Sequence, residues 1–208
     1  AVTPVWGSTE TAGVAVATPP GDEPRPGCIG RPIALHSVDI VDERGAPVPD
    51  GTPGEMRVRG PSVCSAYLLL DGSRRPIPGG CHATGDIVVR EPDGWIRFLG
   101  RRSGLIKVGG HNVFPEEVED ALCTHPAVAQ AGVAPVEDRI HDEVPHAFVV
   151  PRNGAALSER DLEHLCREAL APPKRPRRIH IISELPQNPQ GKLDRRRLAV
   201  LAAELAGR

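Results

Sequence analysis

Apolar and polar residues alternate along much of the first hundred positions of the chain. The pattern is clearest over residues 38–42, 55–59 and 86–90. Alternation of this kind predicts strands with one buried face. Clusters of Pro and Gly separate these segments, and an Asp-Gly pair at positions 93 and 94 predicts a tight hairpin. Residues 1–100 are therefore predicted to form a small β-rich, barrel-like subdomain, with a sandwich as the alternative.

After position 100 the pattern changes to a mixture of helices and strands. Residues 115–123 begin with a proline and two acids and place their apolar residues on one helical face, and Ser158 is suited to cap a second helix. A closing helix is predicted over 193–205. Three apolar runs predict strands: 128–133, 147–150 and 178–183. Residues 104–208 are therefore predicted to form an α+β domain, and the chain as a whole is predicted to be α+β.

The composition is that of a globular protein with little net charge. Hydrophobic residues make up 39% of the 208 positions, charged residues 25%, and the formal net charge is −2. This balance gives no general attraction to nucleic acid or to an anionic membrane. Basic residues cluster at 174–178 and 195–197, as solvated faces often do; a rim that binds polyphosphate is the alternative. No apolar run approaches the roughly 20 residues of a membrane-spanning helix.

The cysteines indicate the cellular compartment, and the first residue bears on whether the sequence is a fragment. The five cysteines are widely spaced and form no C-x-x-C pair. This pattern predicts reduced thiols in a cytoplasmic protein, and it argues against a disulfide framework or a zinc site. The chain begins with Ala1 rather than Met, and we expect it to lack the N-terminal part of a longer protein.

Lysine is rare in this chain. Three of the 25 basic residues are lysines: Lys107, Lys174 and Lys192. Lys192 follows a glycine in the segment 186–195. An ammonium is a compact point charge that can reach a phosphate or a developing oxyanion, where a planar guanidinium does not fit. Lys192 is therefore a candidate catalytic residue, with a solvated basic tail as the alternative.

Two short segments of the β-rich half carry side chains that suit a nucleotide. Residues 6–10, Trp-Gly-Ser-Thr-Glu, offer a ring for a base, hydroxyls for phosphate, and Glu10 for a divalent cation. Asp86 follows a glycine, and a carboxylate can accept hydrogen bonds from both hydroxyls of a ribose. Two alternatives stay open: Trp6 could be a buried residue at a strand end, and Asp86 could bond its own backbone in a turn.

Two further segments, 100–110 and 141–146, are also candidate sites. Residues 100–110 place glycines around Lys107, which allows a ligand to approach the backbone, although a plain hairpin uses such glycines too. Neither a P-loop nor a dinucleotide-binding fingerprint is present. His141 and His146 could suggest a metal cluster, but Pro145 interrupts helical spacing, so a solvated loop is expected there.

Taken in order, these segments resemble the AMP-forming superfamily of acyl-CoA synthetases, adenylation domains and luciferases. The similarity is carried by six pieces in the family's order: 6–10, 54–60 with Tyr67, 84–86, 100–101, 106–119 and 186–195. The resemblance covers nearly the whole chain and corresponds to the C-terminal portion of a typical member. It implies an ATP-dependent ligase that converts a carboxylic acid into an acyl-adenylate. A thiol, usually that of coenzyme A, then displaces AMP.

The resemblance also implies roles for the residues of the β-rich half. Six of them are implied to bind ATP and Mg²⁺: Trp6, Gly7, Thr9, Glu10, Asp86 and Arg101. Trp6 lies where an aromatic ring usually stacks on adenine, Thr9 contacts the phosphate, and Glu10 helps to hold Mg²⁺. Asp86 accepts from both ribose hydroxyls, with Arg101 nearby. Thr9 and Glu10 thus join Lys192 as implied catalytic residues.

In this family a small C-terminal domain turns between the two half-reactions. The resemblance places its hinge at 101–103. Lys192 matches the lysine that bridges the carboxylate and the α-phosphate during adenylation. Lys107 belongs to the hairpin that replaces it for thioester formation, and Gly109 and Gly110 line the path of the thiol.

Two departures from the family pattern leave alternatives open. Trp6 stands where tyrosine is usual, and Ser103 stands where the hinge usually carries an acid. The phosphate loop and the acyl pocket of the family lie upstream of this sequence, so we expect a missing N-terminal part to supply them. One alternative is an adenylation domain that loads a carrier protein. Another is a non-catalytic or split module that docks with a separate N-terminal partner.

Overall fold

The computed structural model describes residues 3–153 and 155–206, and the chain divides into two compact units, Ala1–Ser103 and Gly104–Arg208. Nine strands lie in the first unit: β1 Val5–Ser8, β2 Gly13–Ala17, β3 Cys28–Pro32, β4 Ser37–Val41, β5 Gly54–Arg59, β6 Ala66–Leu68, β7 Arg74–Pro76, β8 Cys81–Arg90 and β9 Ile96–Arg101. The second unit combines strands and helices: β10 Ile106–Val108, β11 His111–Val113, α1 Pro115–Cys123, β12 Val128–Asp138, β13 Asp142–Pro151, α2 Glu159–Ala169, β14 Arg178–Ile181 and α3 Arg195–Ala206. The predicted α+β class is confirmed.

Seven strands of the first unit form one antiparallel sheet. Its order is β1-β2-β3-β9-β8-β5-β4, while β6 and β7 form a separate hairpin. Among the described residues no pairing joins β1 to β4, so the hydrogen-bonded path is open. The strands predicted over 38–42, 55–59 and 86–90 correspond to β4, β5 and β8, the last of which begins earlier, at Cys81.

The core of the first unit follows from the alternation along its strands. In β5, Met56 and Val58 are fully buried, whereas their neighbours are partly exposed. Val88 and Ile96 pack against them from β8 and β9. The predicted Asp-Gly hairpin is also present: the N–H of Gly94 donates to the carbonyl of Glu91 over 2.8 Å, and Gly94 has φ +87. A positive φ of this kind favours glycine.

The sheet of the second unit is built around β13. This strand pairs antiparallel with β12 on one side and parallel with β14 on the other. Ala147 and Val149 belong to the core shared with α1 and α2, whereas Phe148 belongs to the core shared with α3. The sheet is therefore covered by helices on both faces, which places α3 and the segment before it on the face opposite α1 and α2.

The starts of α1 and α2 match the sequence-based predictions, and that of α3 lies close to its predicted position. The bounds of α1 match the prediction, and Ser158 caps α2 by accepting a 3.2 Å hydrogen bond from the N–H of Asp161. The last helix, α3, begins at Arg195, two residues after the predicted start. All of the helices in the described part of the chain are too short or too polar to cross a membrane.

The expectation of a solvated loop over residues 141–146 is wrong for most of that segment. β13 begins at Asp142, and His146 is 3% exposed in the middle of the sheet. Its ring lies beside that of His180, with 3.4 Å between His146 Nδ1 and His180 Nε2. In the described ranges no group of three or more metal-binding side chains occurs. β12 pairs with residues 142–146 on one side, and β14 pairs with His146 on the other, so this histidine lies between two strands.

Candidate functional site

Asp86 is the most buried charged residue among the sequence-derived candidates. It lies inside β8 with 1% of its residue surface exposed. The indole N–H of Trp6 donates to Asp86 Oδ2 over 2.7 Å, and Arg101 Nε lies 2.9 Å from Oδ1. The alternative of a turn aspartate bonded to its own backbone is therefore wrong. The carboxylate is held between an aromatic side chain and a guanidinium.

The fold brings these three residues together in two ways. Asp86 and Arg101 are direct register partners on the adjacent strands β8 and β9. Trp6 belongs to β1, from which β2, β3 and β9 separate β8 in the sheet order. Because neighbouring strands are about 4.8 Å apart, a flat sheet would hold Trp6 and Asp86 too far apart to bond. The 2.7 Å bond thus shows that the sheet curls, in keeping with the barrel-like expectation.

Among the described residues, one oxygen of Asp86 has no aligned hydrogen-bond donor. Arg101 Nε approaches Oδ1 closely but is not aligned to donate to it, so within the described residues this buried atom is unsatisfied. The guanidinium charge of Arg101 compensates for part of the burial of this oxygen, but no aligned N–H of the described residues points at it. The side chain of Arg101 is 63% exposed, so the arginine lies on the solvent side of the carboxylate. A hydroxyl that entered here would find a ready acceptor.

Thr9 and Glu10 lie in a short 3-10 turn directly after β1. The hydroxyl of Tyr67 donates to Glu10 Oε1 over 3.3 Å, and His82 Nε2 lies 3.9 Å from Oε2. The hydrogen bond from its own backbone N–H holds the pKa of Glu10 below its ordinary value, against the opposing effect of burial. Smaller contributions come from Ser8, His82 and Tyr67. Glu10 is therefore an ionised, partly exposed carboxylate at neutral pH.

The contacts of Glu10 with Tyr67 and His82 were not predicted from the sequence. Tyr67 is on β6 and His82 on β8, so both contacts depend on the way the chain folds back over Glu10. His82 is 7% exposed, and a buried imidazole usually has a polar partner. Here the neighbouring polar group is the carboxylate of Glu10. The segment containing Tyr67 was noted only through the family resemblance. No local signal pointed to His82.

Gly7 has a packing reason to be glycine. A Cβ at this position would lie 2.1 Å from the carbonyl oxygen of Gly13 on the paired strand β2. The register of β1 and β2 shifts between Trp6 and Gly7, which brings the two backbones together. The close approach of β2 therefore explains why position 7 is a glycine. Gly7 is exposed and directly follows Trp6 on β1.

In the second unit, Gly109 and Gly110 form the two-residue turn of the β10–β11 hairpin. Their φ values are +53 and +82, as a turn with two left-handed residues requires. The N–H of Gly109 donates to the carbonyl of His141 over 2.8 Å, which ties the turn to the start of β13. Lys107 is exposed on β10, and its backbone N–H donates to Glu143 Oε2 over 2.9 Å. The plain-hairpin alternative thus describes the local structure.

A cavity of about 390 Å³ opens beside this hairpin. Its wall includes Gly109, His111, His141, Arg175 and Arg177, with prolines completing the apolar side. The guanidinium of Arg175 is fixed by hydrogen bonds to the carbonyl oxygens at the end of α2, whereas Arg177 is exposed. The cavity therefore combines apolar surface with cationic side chains. The basic run 174–178 was expected from its composition to be a solvated face. In the structure, Arg175 and Arg177 of this run line the wall of the cavity.

Lys192 lies in an exposed turn between β14 and α3. The side chain of Asn188 organises this turn: its Oδ1 accepts from the N–H groups of Gln190 and Lys192, each over 3.0 Å. Gly191 completes the turn with φ +74. Among the residues that the structure describes, the ammonium of Lys192 has no ion-pair partner. A turn with a defined backbone thus presents a free ammonium to solvent.

Comparisons with known proteins agree with this geometry. The family model of the AMP-binding enzyme matches residues 1–68, and that of the AMP-binding enzyme C-terminal domain matches residues 117–192. A 2-succinylbenzoate–CoA ligase from Geobacillus kaustophilus is 40% identical over 195 residues, which are 93% of this chain and 40% of that enzyme.

Two solved structures have the same fold in the region compared. An anthranilate CoA ligase in complex with anthranoyl-AMP superposes with a TM-score of 0.87 at 34% identity, covering 98% of this chain and 40% of that one. An o-succinylbenzoate coenzyme A synthetase from Bacillus subtilis, in complex with ATP and magnesium, gives 0.84 at 34% identity, covering 94% and 41%.

The chain spans about two fifths of the length of these relatives. The two matched models lie one in each compact unit, and their order follows the order of the units along the chain. Fold, family models and relatives agree. The chain belongs to the AMP-binding, adenylate-forming enzyme family and corresponds to the C-terminal part of its members.

Proposed function

We propose that this chain is the C-terminal portion of an AMP-forming acyl- or aryl-CoA ligase. The observation that carries the proposal is the buried carboxylate of Asp86, whose Oδ1 has no donor within the described residues and whose Oδ2 is held by Trp6. A ribose offers two neighbouring hydroxyls and would supply the missing hydrogen bond. The named relatives are CoA ligases, which supports the same reaction class.

In this proposal Trp6, Asp86 and Arg101 hold the adenosine of ATP. The indole uses its N–H to orient Asp86 and keeps its ring face for the adenine. Arg101 lies at the exposed side of the carboxylate, where it would also contact the ribose. These contacts would hold the nucleotide in place before the reaction. Positioning of the reactants makes a large contribution to the catalysis of phosphoryl-type transfer.

Glu10 fits a magnesium site. It is an ionised carboxylate with partial exposure, and Mg²⁺ is usually held by one or two carboxylates together with substrate phosphates and water. Bound there, Mg²⁺ would neutralise negative charge on the phosphates. Tyr67 orients one oxygen of Glu10 through its 3.3 Å hydrogen bond. Thr9, exposed next to Glu10, is proposed to donate its hydroxyl to a phosphate.

The first half-reaction forms the acyl-adenylate. A carboxylate oxygen of the substrate bonds to the α-phosphorus of ATP, and the bond from that phosphorus to pyrophosphate breaks. Both reactants are anionic, so a cation between them lowers the barrier. Lys192 is proposed to supply this charge, because its ammonium is exposed and free on an ordered turn.

The second half-reaction forms the thioester. The sulfur of the thiol bonds to the acyl carbon, the bond from that carbon to the phosphate oxygen of AMP breaks, and the thiol proton is released to solvent. The exposed turn of Gly109 and Gly110 offers backbone without side chains along the proposed thiol path. The adjoining cavity, with Arg175 and Arg177 in its wall, suits the phosphates of coenzyme A. This cavity favours coenzyme A over a carrier protein as the thiol donor.

We propose that residues 101–103 are the hinge about which the second unit turns when the enzyme passes from the first half-reaction to the second. The division into compact units falls between Ser103 and Gly104, which supports a pivot at this place. Ser103 is exposed and small, so the absence of an acid does not prevent rotation there. We also propose a cytoplasmic location, since the five cysteines are free, as is usual in reducing compartments.

The proposal is tested with the complete ligase that contains this chain. Release of AMP from ATP is measured with a panel of alkyl and aryl carboxylic acids, with coenzyme A or with a carrier protein. Turnover that depends on coenzyme A supports the proposal, whereas turnover with carrier protein alone would assign the chain to an adenylation domain. The isolated chain is expected to show negligible exchange of pyrophosphate into ATP, and robust exchange without a partner would contradict the need for an N-terminal part.

A further inference from the structure

Arg195 joins two helices of the second unit through an ion cluster. It is the first residue of α3, and its guanidinium meets Glu119 in a two-pronged contact, Nη1 to Oε1 at 2.8 Å and Nη2 to Oε2 at 3.1 Å. Nη2 also donates to Glu116 Oε1 over 2.9 Å. Glu116 and Glu119 are three positions apart on α1 and so share one helical face. One side chain thus fixes α3 to α1.

The acidic side of this cluster is rigidly held. The side chain of Glu119 is 14% exposed, and its Oε1 also accepts a 2.8 Å hydrogen bond from the N–H of Val133 on β12. Burial raises the pKa of Glu116, while the nearby Arg195 acts against that rise. Both carboxylates therefore depend on the guanidinium for compensation, and the arginine is anchored to the sheet through Glu119.

The Lys192 turn is directly attached to this anchor. Two residues, Leu193 and Asp194, separate Lys192 from Arg195. The N–H of Asp194 donates to the carbonyl of Pro186 over 2.8 Å, which closes the base of the turn. The Asn188 hydrogen bonds shape the turn itself, but neither set of bonds fixes its position on the domain. Leu193 packs against the apolar core beside α3, and Arg195 is the nearest charged side chain that ties the turn to α1.

We propose that Arg195 is a positioning residue that sets the place from which Lys192 acts, by fixing the start of α3 to Glu116 and Glu119. The inference rests on the proposed role of Lys192 in adenylation. A guanidinium can make these paired contacts with a fixed fork, whereas an ammonium at the same place is a single point charge. A positive charge at position 195 is therefore not enough to hold both glutamates, and the planar shape of the guanidinium is needed as well.

The first test uses the 208-residue chain and Arg195→Lys. Amide hydrogen exchange is measured at Gly191 and Lys192, whose N–H groups bond to Asn188, and in the strand β13. Exchange at the turn is expected to accelerate by about tenfold while β13 stays unchanged. Arg197→Lys is the matched control, because Arg197 is on the same helix, is 75% exposed, and pairs only with Asp194 among the described residues. Unchanged exchange at the turn in Arg195→Lys would overturn the inference.

The second test uses the complete ligase. In Arg195→Lys, adenylate formation is expected to fall by about tenfold or more, while thioester formation from supplied acyl-adenylate stays within about twofold. An equal fall in both half-reactions indicates a purely structural role and overturns the inference, as does unchanged adenylation. Lys192→Ala is run in parallel. If that variant adenylates normally, the proposed role of Lys192 itself is wrong, and the positioning role of Arg195 is rejected with it.

Discussion

The indole N–H of Trp6 donates to Asp86 across 80 positions of sequence, over 2.7 Å. The bond connects the first strand of the sheet to a central one and leaves the other oxygen of Asp86 without a donor within the described residues. Two properties of the aromatic residue are therefore separable. Its ring, partly buried against the core, is proposed to stack on a base, and its N–H orients the carboxylate proposed to bind ribose.

Trp6→Phe separates these two properties. The substitution keeps an aromatic face and removes the donor, so Asp86 is expected to lose its orientation. A hydrogen bond to a charged group contributes about 1.5–3 kcal/mol, so the KM for ATP of the complete ligase should rise roughly tenfold to a hundredfold. Steady-state kinetics at saturating acid and coenzyme A measure this change.

A companion variant, Asp86→Asn, removes the charge but keeps the shape. It is expected to weaken ATP binding at least as much as Trp6→Phe, because the amide nitrogen cannot accept from an indole N–H or from a hydroxyl. Denaturant unfolding of both variants controls for lost stability. If both keep the normal KM for ATP, the nucleotide does not use this carboxylate.

Lys192→Ala should affect one half-reaction only. Adenylate formation, followed by pyrophosphate exchange, is expected to fall by about a hundredfold or more, since a charge aimed at the transition state is lost. Thioester formation from supplied acyl-adenylate should continue. Lys174→Ala is the matched control, because Lys174 is bonded to Glu117 over 2.7 Å and has no proposed catalytic role. Equal loss of both half-reactions in Lys192→Ala would contradict the assignment.

Arg177→Glu tests the cavity beside the Gly109 turn. Reversing the charge in its wall should raise the KM for coenzyme A by about tenfold and leave the KM for ATP unchanged, because like charges now repel the phosphates. Arg160→Glu makes the same charge change on the exposed side of α2, away from the cavity wall. An identical response of the two variants would show that only net charge matters.

His146 should make the second unit sensitive to acid. Burial, with smaller contributions from His180, Arg178 and Arg177, lowers the pKa of His146 from 6.5 to about 4. Burial also lowers the pKa of His180. Between these pH values the unfolded chain binds a proton that the folded chain does not. The contribution of His146 to the free energy of unfolding is therefore fully present above pH 6.5 and is lost as the pH falls toward 4.

The experiment compares free energies of unfolding in urea at about pH 7.5 and about pH 5. His146→Gln is expected to reduce the acid-induced loss by on the order of 1–2 kcal/mol, because this group no longer titrates. His164→Gln is the control, since His164 is an exposed residue of α2 paired with Glu168. An unchanged acid-induced loss in His146→Gln would show that other groups control it.

Gly7→Ala should disturb the strand pair that carries Trp6. Its Cβ would meet the carbonyl of Gly13, a backbone atom that cannot move without shifting β2. We expect the free energy of unfolding to fall by roughly 1–3 kcal/mol. Gly104→Ala, a position with open space for a Cβ, is expected to change it by less than about 0.5 kcal/mol. Similar values for the two variants would contradict the close approach of β1 and β2.

Much of the fold was predictable because its signals are local. Proline and two acids mark the start of α1, and the alternation of Met56 and Val58 with polar neighbours marks β5. His146 was misplaced because Pro145 suggested a loop, although pairing with β12 on one side and β14 on the other buries this residue. Pairing between strands distant in sequence overrides such local preferences.

The sequence suggested individual candidate residues for the site but not their arrangement. Asp86 and Trp6 each carried a plausible chemistry, yet their bond depends on the curl of the sheet. Tyr67 and His82 reach Glu10 only because the folded chain brings them there. The cavity wall at Arg175 could not be foreseen either, since a basic run looks the same in sequence whether it covers a convex or a concave surface.

The ion pair between Lys174 and Glu117 has a practical consequence for labelling. Lys174 is partly buried and engaged in a 2.7 Å contact, whereas Lys107 and Lys192 are exposed. Arginine does not react with amine-directed acylating reagents at neutral pH, because it stays protonated. Such a reagent should therefore modify mainly two lysine side chains of this chain. If the second unit turns at the proposed hinge, the ratio of label on Lys107 to label on Lys192 should change between the two half-reactions.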